Sequence, residues 1–286
     1  MYQTTTAVFR KELSSHLTSL YQPREADQIA ALIIEHLFDI PTTVQLLTNE
    51  ISVTKQNEQQ AQQIIRQLLQ QQPIQYVLGY TEFYGRRYKT DPRALIPRPE
   101  TEELIHFILA DGIREKSRIL DIGTGTGCIA ITLAHETKST VHALDIDQNA
   151  LALAKENAQL LKVPVNFIQM NILTNRPTVP SLDLIVSNPP YVPKKDFVAI
   201  NPRVKDFEPT KALVVPDENP LIFYQRIAHL ATEYLLPGGQ VYLEIHHLAG
   251  PAVSALFQPP QWSQVLVKKD LQGKDRMIKA TLNKQS

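Results

Sequence analysis

The 286-residue sequence contains a single cysteine, Cys128. One thiol cannot form an intramolecular disulfide, which excludes a disulfide-stapled secreted fold and fits a reducing compartment. Long apolar runs are also missing, because no stretch approaches the roughly 20 residues needed to cross a bilayer. The first residues are polar and mixed in charge, without the apolar segment of a signal peptide. These absences predict a soluble cytoplasmic protein with no membrane association.

Neither sign of charge is in excess, since Lys plus Arg and Asp plus Glu both total 29. A balanced protein has no global field that draws it to nucleic acid or to an anionic membrane. We therefore expect no direct contact with nucleic acid.

Glycine is absent from residues 1–72, where apolar residues recur at helical spacing. This pattern predicts a small helical domain over residues 1–73, because the ring of Pro73 clashes with the preceding turn and ends the last helix. An aromatic, glycine-punctuated pattern follows and predicts a hairpin linker at 74–93. Residues 94–286 are then the catalytic domain.

Short apolar runs alternate with helical stretches from Ser117 onward. Such alternation predicts an α/β fold with a mainly parallel sheet and helices on both faces. A turn signal near the end of the chain predicts an antiparallel hairpin at one side of the sheet. The predicted strands are 118–122, 141–146, 165–170, 182–187 and 240–245, and the hairpin strands are 264–269 and 276–282.

A glycine-rich loop joins the first predicted strand to a helix predicted at 128–135. A tight turn is one interpretation, but glycines at the carboxyl end of a strand also let the backbone approach a nucleotide. Asp145 ends the next strand, where a carboxylate can accept hydrogen bonds from both hydroxyls of a ribose. We predict that an adenosine-bearing cofactor is held by Asp121, Gly123, Thr124, Gly125, Thr126, Gly127 and Asp145.

The spacing and charge of this loop favour one class of cofactor. Its G-x-G-x-G pattern departs from the dinucleotide G-x-G-x-x-G, and the carboxylate of Asp121 would repel a pyrophosphate. The same carboxylate would attract the ammonium group of S-adenosyl-L-methionine, which we therefore predict as the cofactor. We expect the adenine to lie between Ile146 and the Asn171-Ile172 pair.

The segment Asn188-Pro189-Pro190-Tyr191 follows the strand predicted at 182–187. Its prolines fix the backbone and lack N–H donors, which leaves carbonyl groups free to accept. If Asn188 Oδ1 and the Pro189 carbonyl accept both hydrogens of a planar amide or amine, its lone pair is aimed at the methyl donor. Tyr191 can stack on the flat group. We predict substrate binding by all four residues, catalysis by Asn188, Pro189 and Tyr191, and a cofactor contact for Asn188.

These motifs resemble those of the protein-glutamine N5-methyltransferases that modify bacterial peptide chain release factors. The shared markers are Ile96-Pro97-Arg98-Pro99-Glu100-Thr101-Glu102, the glycine loop, Asp145, Asn188 to Tyr191, Phe207-Glu208-Pro209, Ala212-Leu213 and residues 270–277. One departure is Asn171, which stands where relatives commonly carry an acidic residue.

The resemblance implies a seven-stranded class I methyltransferase sheet, Rossmann-like, with a small N-terminal helical domain that helps to grip the substrate. It also implies that the substrate is a class 1 release factor, methylated on the glutamine of a Gly-Gly-Gln loop. We expect the enzyme to be a monomer.

Three other functions stay open at this point. They are methylation of a glutamine in a ribosomal protein, methylation of adenine N6 or of RNA through the same planar NH2 group, and nucleotide binding without catalysis. The balanced charge and the lack of a basic, aromatic recognition domain argue against a nucleic-acid substrate. The pair His246-His247 suggests a metal site, but adjacent strand residues point to opposite faces, so we predict none.

Overall fold

A computed structural model describes residues 1–45, 47 and 50–283. They form two compact units. The smaller unit comprises Met1–Gly79 with Pro202–Phe207, and the larger comprises Tyr80–Asn201 with Glu208–Ser286. The first boundary therefore lies at Gly79, inside the segment predicted as a linker.

The helices and strands are numbered in chain order. The helices are α1 Thr6–Leu17, α2 Pro23–Phe38, α3 Lys55–Leu69, α4 Ile74–Leu78, α5 Pro99–Ala110, α6 Cys128–Thr137, α7 Gln148–Leu161, α8 Pro202–Phe207, α9 Ile222–Tyr234 and α10 Gly250–Ser254, with 3-10 helices at Asp196–Ala199 and Thr210–Ala212. The strands are β1 Tyr2–Thr4, β2 Ile51–Val53, β3 Tyr80–Phe83, β4 Arg86–Lys89, β5 Arg118–Ile122, β6 Thr140–Asp145, β7 Asn166–Gln169, β8 Leu182–Ser187, β9 Val192–Pro193, β10 Val214–Val215, β11 Leu235–Glu244, β12 Trp262–Lys269 and β13 Asp275–Leu282.

The smaller unit is built from helices, as the glycine-free pattern predicts. Its core contains Leu17, Ile33 and Leu68, all fully buried. Helix α3 begins at a capping box, in which Thr54 and Asn57 exchange side-chain and backbone hydrogen bonds. The unit also contains a short antiparallel pair, β1 with β2. Strands of three residues are too short to show a periodicity, so the sequence pattern did not reveal them.

The larger unit contains, within the described residues, a seven-stranded sheet in the order β12-β13-β11-β8-β5-β6-β7. Strands β11, β8, β5, β6 and β7 are parallel, and β13 runs antiparallel to both of its neighbours. The predicted α/β fold with a terminal hairpin is therefore confirmed. Strand β11 starts at Leu235, earlier than the predicted start at Gln240. The sequence Pro237-Gly238-Gly239 is typical of a turn, but here it forms an irregular stretch of the strand.

Both faces of the sheet are covered by apolar side chains. Ile119 packs into the core on one face, whereas its neighbours Leu120 and Ile122 pack into the core on the other. This alternation follows from the two-residue period of a strand and explains why these strands read as continuous apolar runs. None of the described helices is both long and apolar enough to span a bilayer.

Candidate functional site

A cavity of about 350 Å³ lies in the larger unit, at the carboxyl ends of β5, β6 and β8. Strand β5 pairs with β6 on one side and with β8 on the other, so the strand order reverses here. Open α/β sheets bind ligands at this kind of switch point. Of the predicted site residues, Gly123, Gly125, Asp145, Ile146, Asn171, Ile172, Asn188, Pro189 and Pro190 line the cavity.

The glycine loop is tied to the end of β6. The backbone N–H groups of Gly123 and Thr124 donate to the Leu144 carbonyl at 2.8 and 2.9 Å. Gly123 and Gly125 adopt φ values of 75° and 54°, a left-handed region that favours glycine. These two glycines therefore bring bare backbone to the cavity wall.

Gly127 has a different task, and it does not line the cavity. It has φ 81°, and a Cβ there would lie 2.9 Å from Ile131 Cδ1 and 3.1 Å from Ala154 Cβ. It therefore allows α6 to start close to α7. The prediction that it contacts the cofactor stays untested.

Asp145 is held by two backbone hydrogen bonds. Its Oδ2 accepts from Gly125 N and its Oδ1 from Asp147 N, both at 2.9 Å. Burial raises the pKa of this carboxyl, although the two N–H groups oppose the shift. Each oxygen has a further lone pair, so the carboxylate can still accept bonds from a ligand.

Asp121 lies behind the loop and is completely buried. Its Oδ2 accepts a hydrogen bond from Thr124 Oγ1 at 2.6 Å, whereas Oδ1 is buried without a partner among the described residues. Burial raises the pKa of this carboxyl to about 7. Thr124 and Thr126 are also buried and do not line the cavity, so their side chains pack on the side of the loop that faces away from it.

An apolar wall flanks Asp145. Ile146 is 56% exposed, and Ile172 and Phe223 face the same cavity. The amide oxygen of Asn171 accepts from the backbone N–H of Leu173 at 3.0 Å, so this residue stabilises a turn as well as lining the cavity. Sequence reasoning missed Phe223, because a lone aromatic in an amphipathic helix gives no signal of a ligand.

Asn188 and Pro189 form the opposite wall. The side-chain nitrogen of Asn188 donates to Thr101 Oγ1 at 3.2 Å. Its Oδ1 and the carbonyl of Pro189 accept no hydrogen bond from the described residues. Two acceptors are therefore available side by side in the chain, as the sequence predicted from the proline pair.

Tyr191 does not line the cavity. Its hydroxyl donates to Glu244 Oε1 at 3.4 Å, and its ring packs against the hydrophobic core on one face of the sheet. The backbone N–H groups of Tyr191 and Val192 donate to the Leu213 carbonyl, which anchors the turn. The predicted stacking of Tyr191 on a substrate stays a prediction.

Two further segments line the cavity, one just before the marker that begins at Ile96 and one within the markers at 207–213. Ala94 and Leu95 line it from one segment, and Pro209 and Ala212 from another. The buried carboxylate of Glu208 joins the two segments, because it accepts from Ile96 N at 3.1 Å and from Arg98 Nη2 at 2.5 Å. Lys211 adds an ion pair with Asp147 at the rim.

His246 and His247 lie beyond the end of β11, with ring centroids 4.3 Å apart. The reasoning that adjacent strand residues separate them was therefore wrong, since neither residue is in the strand. No group of three or more His, Cys, Asp or Glu residues suited to a metal ion occurs in the part of the chain that the structure describes.

Comparison with known proteins identifies the family and the fold of the chain. Residues 101–204 match the family model of the methyltransferase small domain, and residues 10–79 match that of the PrmC N-terminal domain. The structure of a methyltransferase from Pyrococcus furiosus has a similar fold, with a TM-score of 0.52 and 17% identity over 70% of this chain and 91% of that one.

Two curated relatives cover almost the whole sequence. The release factor glutamine methyltransferase of Flavobacterium psychrophilum is 37% identical over 95% of this chain and 97% of its own length. The protein of that name from Bacteroides thetaiotaomicron is 38% identical over 92% and 95%. The chain accordingly has the fold, the cavity and the near full-length similarity of an S-adenosyl-L-methionine-dependent enzyme, and it belongs to the release factor glutamine methyltransferase family.

Proposed function

We propose that this enzyme transfers a methyl group from S-adenosyl-L-methionine to the side-chain N5 of the glutamine in the Gly-Gly-Gln loop of class 1 release factors. The names of the relatives support the substrate. The balanced charge supports a protein partner rather than nucleic acid. We further propose that the protein acts as a monomer in the cytoplasm, where its single cysteine stays reduced.

The cavity suits the methyl donor in two ways. Asp145 is oriented to accept from ribose hydroxyls, and the exposed face of Ile146 can cover an adenine. The cations at the wall are already paired, Arg93 with Asp91 and Glu156 and Lys211 with Asp147. Within the described lining this leaves no unpaired cation for a phosphate group, which favours a sulfonium nucleoside over a dinucleotide.

The bound cofactor supplies an electrophilic methyl carbon. The protein positions the substrate amide relative to that carbon. An amide nitrogen is a poor nucleophile because its lone pair is delocalised into the carbonyl. Asn188 Oδ1 and the Pro189 carbonyl can each accept one of its two hydrogens, which fixes the plane of the amide and the direction of the nitrogen lone pair. The nitrogen–methyl bond would form as the sulfur–methyl bond breaks, and one of the two N–H protons would leave to water. The two free acceptors are the observation that carries the proposal, and rigid placement rather than a strong base supplies the rate.

The smaller unit is proposed to recognise the release factor. The proposed boundaries are a recognition domain over residues 1–73, a linker at 74–93 and a catalytic domain from residue 94.

Mass spectrometry of a release factor incubated with enzyme and methyl donor tests the function. We expect one added methyl group on the Gly-Gly-Gln glutamine and none when that glutamine is alanine. Asn188→Ala should still bind the methyl donor while turnover falls by about 10²-fold or more. A ribosomal protein and DNA serve as alternative acceptors; methylation of either one with an unmodified release factor would overturn the proposed substrate.

A further inference from the structure

We infer that Thr101 and Glu244 set the orientation of the Asn188 amide, and that they thereby select a substrate group that donates hydrogens over one that accepts them. This inference rests on the proposed function. Thr101 and Glu244 are positioning residues, because they act through Asn188 and do not line the cavity.

Three elements meet at this point. Asn188 follows β8, Thr101 lies in the first turn of α5, and Glu244 ends β11. Asn188 Nδ2 donates to Thr101 Oγ1 at 3.2 Å, and Thr101 Oγ1 donates to Glu244 Oε2 at 2.7 Å. Thr101 is 3% exposed and Glu244 is 2% exposed, so water does not compete for these bonds.

The direction of the bonds follows from the supply of protons. A hydroxyl has one proton to donate, and an ionised carboxylate can only accept. The proton of Thr101 is therefore committed to Glu244, and only acceptor positions remain for Asn188. Because the oxygen and nitrogen of an amide have nearly the same shape, such a network decides which of them faces each way. Asn188 must turn its NH2 group to Thr101 and its Oδ1 away from it.

The reverse orientation would change what the site recognises. With NH2 on the free side, Asn188 would donate to the substrate and would suit the carboxylate of a glutamate. With Oδ1 on the free side, it accepts from the NH2 of a glutamine. Recognition sites that satisfy one hydrogen-bond pattern reject the other strongly, because the wrong ligand leaves buried polar groups unpaired. The Thr101–Glu244 pair therefore favours binding of a glutamine side chain over binding of a glutamate side chain.

The protonation state of Glu244 decides whether this network constrains Asn188. Burial raises the pKa of its carboxyl to about 7, with a further upward contribution from Glu100 and opposing ones from the Thr101 hydroxyl and Arg276. A protonated Glu244 can donate to Thr101, which removes the constraint on Asn188. Turnover should therefore rise as the pH passes upward through about 7. The other groups that face Glu244 are Tyr191, the Tyr224 hydroxyl on its backbone carbonyl, and Cys128. The ring of His246 lies against Tyr191, with centroids 6.1 Å apart.

Steady-state kinetics on the full-length enzyme with a release factor substrate test this inference. Thr101→Val keeps the shape and removes the hydroxyl, Thr101→Ser keeps the hydroxyl, and Glu244→Gln removes the charge. We expect Thr101→Val to lower kcat by about 10–10²-fold with unchanged affinity for the methyl donor, and Thr101→Ser to retain near wild-type turnover. Glu244→Gln should flatten the rise of kcat with pH.

A second readout reports on selection itself. A release factor whose loop glutamine is replaced by glutamate should compete poorly against the normal factor for the wild-type enzyme and better for Thr101→Val. Wild-type kcat and wild-type discrimination in Thr101→Val, together with a strong loss in Asn188→Ala, would overturn this inference and leave the proposed function standing. Full turnover in Asn188→Ala would remove the basis of both. Methyl-donor affinity and the melting temperature identify a variant that has failed to fold, in which case Glu244→Gln and its pH profile decide.

Discussion

Asp145 accepts a hydrogen bond from the backbone N–H of Gly125 at 2.9 Å, so the carboxylate at the end of β6 and the glycine loop after β5 are fixed to each other. Asp147 N occupies the other oxygen of the same carboxylate. Asp145, the proposed acceptor for the ribose, is thus oriented by the protein before any ligand arrives, which would lower the entropic cost of binding.

Asp145→Asn should weaken binding of the methyl donor by about tenfold or more, because an amide must place its NH2 group against one of the two backbone N–H donors. The loop should loosen as a result. Isothermal titration calorimetry measures the dissociation constant. Asp183→Asn is the matched control, since Asp183 lies on β8 and accepts from Arg118 N at the other end of the sheet. Equal affinity in both variants would contradict the assigned role of Asp145.

Asp121 should make both stability and cofactor binding depend on pH. Its folded-state pKa of about 7 lies above the usual carboxyl range, so its contribution to stability is fully present below about pH 4 and is lost as the pH rises through about 7. Asp121→Asn should therefore melt higher than the wild type at about pH 8 and show little gain at about pH 4.

The ligand should have the opposite dependence on Asp121. If the ionised carboxylate holds the ammonium group, affinity for the methyl donor should increase from about pH 6 to about pH 8 in the wild type and stay flat in Asp121→Asn. Differential scanning fluorimetry and calorimetry over this range give both quantities. An identical pH dependence of affinity in the two proteins would exclude Asp121 from ligand binding.

Gly127→Ala should destabilise the fold by about 2–4 kcal/mol, because it combines a left-handed backbone with overlap against Ile131 and Ala154. Gly273→Ala is the control, since Gly273 has φ 80° but nothing within 4 Å of the added Cβ. It should cost only about 1 kcal/mol. Chemical denaturation measures both values. Equal losses would show that backbone conformation, and not helix packing, explains the glycine.

Glu208→Ala should weaken methyl-donor binding and destabilise the fold by about 1–3 kcal/mol, because it leaves the N–H of Ile96 without its acceptor and releases Arg98. Lys211→Met is the comparison, because its ion pair with Asp147 is largely exposed on the lysine side and should matter little. Binding and denaturation curves of both variants provide the measurement. A larger effect of Lys211→Met would mean that the Lys211–Asp147 ion pair, and not the hydrogen bonds of Glu208, holds these segments over the cavity.

The sheet and one side of the cavity could be predicted from the sequence because their signals are local. Strand β8 contains the apolar run Leu184 to Val186, which Ser187 and Asn188 end, and the glycine loop and Asp145 stand at the ends of neighbouring strands. Parallel strands bring such ends to one edge, so order along the chain was enough to assemble this part of the site.

The remaining features depend on contacts between distant residues. Glu208 lies 112 positions from Ile96, and nothing in either segment indicates that they meet. The hydrogen bond of the Tyr191 hydroxyl to Glu244, 53 positions away, is another such contact, and nothing in the motif around Tyr191 indicates it. The histidine pair reads as part of a strand, but β11 ends at Glu244, two residues before His246.

Helix α8 belongs to the smaller unit although it lies more than a hundred residues beyond Gly79. Its Arg203 stacks 4.1 Å above the ring of Tyr21 and donates to Glu25 at 2.9 Å. The backbone thus passes between the units after Gly79, after Asn201 and again after Phe207. Neither unit can be excised as a contiguous fragment: a truncation that begins at Tyr80 would strip α8 of both partners, and one that ends at Gly79 would omit α8 itself.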